Sequence, residues 1–412
     1  MTSFSVGLLG HGTVGAAFHD LLESRADAIA ATTGQRPEIS GVLTRSRGEF
    51  EDILERSDLV VEVIGGIDPA RDYILRALRA GKHVVTANKA LLSQHGEEIY
   101  DAARAGGAQL RFEAAVGGVV PVIRVIHETL AAAHIDRVHG IVNGTTNFIL
   151  SQMAATGASY EEALAEAQRL GYAESDPSDD VNGRDAAAKM AILARLAFNA
   201  RVGLDDVQYE GIERLTADDI AYAKELGLSL KLIGTAERRD GGLSVRVHPA
   251  FLYETHPLAA VNGSFNAVTI ESPAITEITL SGPGAGGSQT ASAVLGDVIS
   301  SMIPPPTLPA PPEDVPIVSD VESGFYLHLQ VADRPGVLAQ IAEILGLQTA
   351  SVKSVVQKGL GDDARLEIVV HPVLESKFLG AVEMISRLDF VRERPRVIRV
   401  IDEAFEAPAT AG

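Results

Sequence analysis

Apolar positions in the first third of the chain fall into short runs separated by helical patterns. Ser5 to Leu9 is an apolar run, followed by Phe18, Leu21 and Leu22 at helical spacing. Glu38 to Leu43 and Leu59 to Ile64 are further runs, the second interrupted by Glu62. A helical stretch from about Pro69 to Arg79 leads through Gly81 to the run His83 to Thr86. Strands alternating with helices predict a Rossmann-like, doubly wound parallel sheet. Arg111 to Pro121 reads as a strand, a glycine turn and the start of a helix. Val138 to Val142 reads as a strand ending in a run, Asn143 to Asn147, too polar and compact to be filler, which reads as a binding loop before a helix near Phe148. Weaker β patterns follow at Leu243 to Val247, Ala267 to Glu271 and Ile275 to Leu280, while Leu226 to Ala236 reads as apolar and packed. Beyond a proline run, residues 304–312, the order is strand, helix, strand, strand, helix, strand between Phe325 and Ile401. That is a ferredoxin-like βαββαβ unit. The fold class expected is α/β at the N-terminus, α+β in the centre and βαββαβ at the end, with a disordered tail after Glu406.

Composition narrows the chemistry. The chain has 412 residues, enough for two or three domains, and a formal net charge of −20, which argues against nucleic acid or an anionic membrane surface as partner. It has no cysteine, which excludes thiolate metal sites, thiol nucleophiles and dehydrogenases that pass through a thioester. Neither a signal-peptide pattern nor an apolar run long enough to span a membrane is visible, so the expectation is a cytoplasmic protein.

The run Ser5 to Leu9 leads directly into Gly10-His11-Gly12-Thr13-Val14-Gly15 and then a helix. In that context the glycines have separate uses: Gly10 for a tight turn, Gly12 for close approach of a pyrophosphate, Gly15 for helix–strand packing. The helix start at Thr13 and Val14 offers free N–H groups to phosphates. The second run ends at Thr44-Arg45-Ser46-Arg47 rather than at an acidic residue. Arginine there, Arg45 first, suits a ribose 2′-phosphate and favours NADP(H), with NAD(H) as an alternative; a plain surface arginine is the simpler reading. A second glycine-rich stretch, Ser281 to Ser288 including Gly286, lacks the Lys–Thr/Ser ending of a phosphate loop and reads as a lid on the first site or as a structural turn.

Two lysines stand out because the chain has only eight, against 27 arginines. Lys89 follows the run His83 to Thr86, where ligands bind outside the carboxyl ends of parallel strands. Lys189 is the only charge between Ala186 and Ala194, in a stretch apolar almost throughout, and Asp185 precedes it by four residues on one helical face. An i,i+4 pair on a helix is ordinarily a solvated ion pair. Apolar neighbours instead favour a partly desolvated lysine usable as an acid or base. The preceding stretch, Gly171-Tyr172-Ala173-Glu174-Ser175-Asp176-Pro177 with Asp180, is dense in carboxylates.

Taken together, the Gly10–Gly15 loop, Gly81 to Leu92, Asn143 to Asn147, Gly171 to Glu174 with Asp176-Pro177, and Gly183 to Lys189 resemble homoserine dehydrogenases, across essentially the whole chain. The resemblance implies reduction of L-aspartate 4-semialdehyde to L-homoserine with NAD(P)H, in threonine and methionine biosynthesis. It implies catalytic roles for Lys189, Lys89 and Asp185, and substrate contacts from Glu174, Asp185, Lys89, Gly171 and Tyr172. Lys89 would also lie near the nicotinamide. A sodium ion is implied at the loop of Glu113, Val116, Gly118 and Val120, largely through main-chain oxygens. The turn Asp333-Arg334-Pro335-Gly336-Val337 is similar to the signature of ACT domains, small amino-acid-binding modules that pair, which implies feedback by L-threonine through Asp333, Gly336 and Val337 and a homodimer or homotetramer. The implied division is 1–130 for nucleotide binding, completed by part of 282–302; 131–302 for substrate binding, catalysis and dimerisation; a linker, 303–319; and a regulatory domain, 320–403. Two other readings stand beside it: an NAD(P)-dependent oxidoreductase acting on another amino-acid semialdehyde, or an amino-acid-sensing regulator with an inactive dinucleotide domain.

Overall fold

The structure, a computed structural model, describes residues 2–284, 286–303, 313–358 and 364–401. The proline run expected as a linker and the tail expected to be disordered lie outside the described residues. The first sheet has five parallel strands, β1 (Thr2–Leu9), β2 (Gln35–Leu43), β3 (Leu59–Glu62), β4 (His83–Thr86) and β5 (Leu110–Arg111), in the order β2-β1-β3-β4-β5. Such strands are covered on both faces, which is why they read as nearly unbroken apolar runs. Strand order reverses between β1 and β3, and a crevice at such a point is where open α/β sheets take their ligands. Phe4, Val6 and Leu8 of β1 share a core with Phe18 and Leu22 of the helix Thr13–Thr33. The same core takes Ala291, Val294 and Val298 from the helix Gly287–Ser301, so a segment far along the chain closes one face of this sheet.

Ten strands make the second sheet: β6 (Arg137–Ile141), β7 (Gln208–Tyr209), β8 (Leu228–Arg239), β9 (Gly242–Tyr253), β10 (Phe265–Ser272), β11 (Thr276–Pro283), β12 (Glu322–Val331), β13 (Val352–Lys358), β14 (Ala364–Leu374) and β15 (Arg396–Ile401). Their order is β11-β10-β6-β8-β9-β15-β12-β14-β13, with β7 beside β9. The last four strands and two helices, Val337–Leu347 and Glu375–Ser386, form the βαββαβ unit. That unit is joined to the central strands edge to edge: β15 pairs in parallel with β9, Arg399 opposite Ala250 and Ile401 opposite Leu252. The proline run therefore separates two stretches of sequence without interrupting the sheet. Among the described residues no helix is long and apolar enough to cross a membrane.

Three local expectations change, and a fourth, Leu226 to Ala236, gains a form. The strand expected from Arg111 stops there, and Glu113–Ala115 is a single 3-10 turn. Leu226 to Ala236 largely becomes β8, buried on both faces and therefore without visible alternation. Ser281 to Pro283 belongs to β11 rather than to a loop. Asn143 to Asn147 is not a loop either: Asn143 is the cap of a helix, Gly144–Thr156, which starts four residues earlier than expected. Asparagine and threonine look like loop residues, but a cap and a first turn use the same side chains.

Candidate functional site

The dinucleotide loop is built as its glycines require. Gly10 has a φ of 100°, and a Cβ there would come within 2.7 Å of the Val63 carbonyl oxygen. A Cβ on Gly15 would meet the Gly10 carbonyl oxygen at 2.2 Å, whereas one on Gly12 would meet nothing within 4 Å. Gly12 thus faces open space at the start of the helix Thr13–Thr33, which has no side-chain cap over its free N–H groups. Open space in front of uncapped N–H groups at a helix N-terminus fits a pyrophosphate. The second glycine-rich stretch arrives beside it: Gly286 has a φ of 140°, and a Cβ on Gly287 would lie 2.9 Å from Thr13 Cγ2. Arg45 is exposed in the tight turn after β2, closed by the Thr44 N–H donating to the Arg47 oxygen at 2.8 Å.

Glu62, whose position in an apolar strand was unexplained by pattern alone, is fully buried at the end of β3. Its carboxylate accepts from the Ile64 and Gly65 N–H groups and from the Thr86 hydroxyl, at 2.8, 3.0 and 2.6 Å. The Thr86 oxygen in turn accepts from the Asn88 N–H at 3.0 Å, and the Asn88 amide donates to Gly66 O at 2.6 Å. Asn88 Oδ1 caps the helix Lys89–Gly106 through the Leu91 N–H. A chain of polar contacts across β3 and β4 therefore sets where Lys89 begins its helix.

Lys89 and Lys189 meet at one carboxylate. Lys89 Nζ lies 2.9 Å from Asp185 Oδ1, and Lys189 Nζ lies 2.7 Å from Asp185 Oδ2. Lys189 also donates to the Val142 carbonyl oxygen at 2.8 Å. The Asp185 side chain is 5% exposed and that of Lys189 13%, while Lys89 is 45% exposed. Burial opposes ionisation of Asp185, but the ammonium groups of Lys189 and Lys89 more than offset it and hold the carboxyl well below the usual carboxylate range. Lys89 is raised, chiefly by Asp185, with smaller contributions from Asp180 and Glu174. The solvated surface pair is thus not what forms.

Two further residues belong to the same cluster: Asn143, expected only as part of a binding loop, and Asp180, without an individual role assigned from sequence. Asn143 Nδ2 donates to Asp180 Oδ1 at 2.6 Å and to Asp185 Oδ2 at 2.8 Å. Asp180 is raised, first by burial and then by its neighbour Asp185. Its place in the carboxylate-dense stretch was the only signal available. Glu174 is exposed on the loop before Asp180 and close enough to act electrostatically on Lys89. Gly171 makes the turn with a φ of 77°. The Tyr172 carbonyl accepts from the Thr145 hydroxyl at 2.7 Å, and the Tyr172 ring lies against Phe148 with centroids 4.6 Å apart.

Known proteins resemble this chain over nearly its whole length. The family pattern described as "Homoserine dehydrogenase, NAD binding domain" matches residues 10–113, and that described as "Homoserine dehydrogenase" matches residues 121–299. A homoserine dehydrogenase of Corynebacterium glutamicum is 42% identical over 97% of this chain and 96% of its own length. This chain belongs to the homoserine dehydrogenase family. It is an NAD(P)-dependent oxidoreductase acting on a CH–OH group. A solved homoserine dehydrogenase from Thiobacillus denitrificans superposes with a TM-score of 0.93 at 38% identity, covering 98% of this chain and 99% of that one. A hyperthermophilic archaeal homoserine dehydrogenase solved in complex with NADPH superposes with a TM-score of 0.63 at 26% identity, covering 73% of this chain and 98% of that one.

The remaining residues expected from resemblance lie elsewhere. Glu113 is buried, and its carboxylate accepts from the Ile123 and Arg124 N–H groups at 2.8 and 2.9 Å, so the side chain serves the start of a helix. Burial and the neighbouring Asp297 push it up to about 7. Val116 and Val120 are buried around a left-handed turn, in which Gly118 has a φ of 65° and packs against Gly284. Among the described residues no three acidic or histidine side chains form a metal cluster. Only main-chain oxygens of this loop suit a hard cation such as sodium. Asp333 is exposed and accepts from the Gln357 amide at 3.0 Å, Gly336 has a φ of 91°, and Val337 is buried as the first residue of its helix.

Proposed function

We propose that the chain interconverts L-aspartate 4-semialdehyde and L-homoserine at the cluster of Lys89, Glu174, Asp185 and Lys189, with NADP(H) preferred over NAD(H). The observation that carries this reading is the sharing of one buried carboxylate, Asp185, by two lysines from different parts of the chain. Gly12, Thr13 and Val14, with Arg45 at the ribose phosphate and Gly286 beside them, would hold the dinucleotide, which would supply or accept the hydride when bound. Lys189 has three N–H donors, and two are engaged by Asp185 and Val142. The third has no partner among the described residues and can meet the substrate oxygen, giving its proton to a developing alkoxide; in reverse the neutral amine takes one from the hydroxyl. Lys89 adds positive potential at the same oxygen. Glu174 receives the substrate ammonium on a loop shaped by Gly171 and Tyr172.

The test is NADPH oxidation by aspartate semialdehyde, beside the Lys189→Ala variant. Loss of a placed acid or base lowers turnover by about 10²–10⁴. Near-unchanged turnover in folded Lys189→Ala protein sinks the assignment.

Feedback by L-threonine at Asp333, Gly336 and Val337 is the regulatory part of the proposal, in a homodimer or homotetramer that pairs the terminal units. A sodium ion held by main-chain oxygens near Val116, Gly118 and Val120 is its structural part. Threonine titration of the full-length chain and of Asp333→Ala checks the first: inhibition should shift to higher threonine in the variant. Equal inhibition of both removes Asp333 from the proposal.

A further inference from the structure

The residue that ties the reacting cluster together is Asn143, which carries no charge. It stands at the end of β6, extended, with φ −128° and ψ 116°, and is 4% exposed. Its oxygen accepts from the Thr146 N–H at 2.8 Å and the Thr146 hydroxyl at 3.0 Å, which caps the helix Gly144–Thr156. Its nitrogen donates to Asp180 and to Asp185. A cap requires only the oxygen, so the two bonds from nitrogen are extra to it. They go to two carboxylates that repel one another, and one of them is the anion both lysines share. The residue before it, Val142, provides the carbonyl that receives Lys189. The end of β6 therefore grips both halves of the pair, the ammonium through Val142 and the carboxylate through Asn143.

We infer that Asn143 is a positioning residue whose amide nitrogen holds Asp180 and Asp185 at fixed separation, and so aims the free N–H of Lys189. The inference rests on Lys189 and Asp185 being the reacting pair. The charged groups facing the two carboxylates are Lys189 from the same helix as Asp185 and Lys89 from the helix Lys89–Gly106, with Glu174 acting on Lys89 from its loop. Asp180 is already pushed up by burial and by Asp185, and the Asn143 donor opposes that. Losing the donor raises both carboxyls.

Two variants separate this role from capping. Asn143→Ser keeps a capping oxygen, lacks the nitrogen and adds no charge. Turnover should fall on the order of 10- to 100-fold, as for a misplaced reacting group. The acid limb of kcat/KM should move to higher pH, because less stabilised carboxylates protonate sooner. Asn143→Asp also keeps a capping oxygen but sets a third carboxylate against the other two. Its activity should be lost at neutral pH and should partly return on acidification, as a protonated carboxyl can donate again. A folded Asn143→Ser enzyme with unchanged turnover and an unmoved acid limb overturns the inference. If that variant does not fold, the pH response of Asn143→Asp decides: recovery supports the role and no recovery overturns it. Lys189→Ala, measured alongside, keeps the two failures apart, since full activity in that variant removes the reading of the site itself.

Discussion

Lys189 Nζ and Asp185 Oδ2 stand 2.7 Å apart across one helical turn, and the Val142 carbonyl oxygen accepts from the same ammonium at 2.8 Å. An ammonium can rotate its donors and can lose a proton; a guanidinium does neither at accessible pH. Lys189→Arg keeps the positive charge yet should lose turnover nearly as fully as Lys189→Ala, with the oxidation of homoserine hit at least as hard as the reduction. Steady-state rates in both directions check this. Substantial activity in Lys189→Arg would mean that charge alone is enough.

Asp185→Asn should leave two ammonium groups without their shared anion, at a cost of about 3 kcal/mol at neutral pH. The sign follows from the depressed carboxyl. A group whose folded pKa lies below its unfolded value, about 3.9 for aspartate, contributes stability above that value and loses it as pH falls toward the folded pKa. Urea unfolding of wild type and Asp185→Asn should therefore differ most at pH 7 and converge below about pH 4. A gap that stays constant with pH assigns the effect to packing.

Gly12 and Gly15 make opposite predictions. An added Cβ at Gly12 meets nothing, so Gly12→Ala should keep its melting temperature while KM for NADPH rises. At Gly15 the Cβ meets the Gly10 carbonyl oxygen, so Gly15→Ala should lower stability before any ligand is added. Thermal unfolding without cofactor, paired with cofactor titration, separates the two.

Arg45→Ala should weaken NADPH by about tenfold, near 1.4 kcal/mol, and leave NADH almost unchanged, since only the former carries the 2′-phosphate. The ratio of kcat/KM for the two cofactors reports it. An unchanged ratio moves the 2′-phosphate contact away from Arg45.

The parts of the site that were legible in the sequence are those written in local spacing. The glycines of residues 10–15 bend one turn, and Asp185 and Lys189 share one helical face, so each placement could be read locally, although the pair alone read as a solvated ion pair and took its role only from the rest of the chain. Asn143 was visible only as part of a polar run taken for a binding loop, because a capping asparagine and a loop asparagine are the same residue until its partners are known. Its partners, Asp180 and Asp185, lie about forty residues on. Glu62 read as an interruption of a strand, since nothing local says that three donors converge on it. The pairing of β15 with β9 joins stretches about 150 residues apart by main-chain contacts, which leave no side-chain pattern to detect.

That pairing bears on what happens if the C-terminal unit is cut away. Ala250, Phe251 and Leu252 of β9 are fully buried, and the Phe251 ring meets Tyr326 edge-on, with centroids 5.1 Å apart. Removing β12 to β15 would turn an interior strand into a raw margin, with apolar side chains bared and N–H and C=O groups open to any passing strand. A shortened enzyme would suffer from its new margin as well as from any lost regulation, and clumping could be mistaken for loss of control. Single substitutions in the intact chain avoid that confusion.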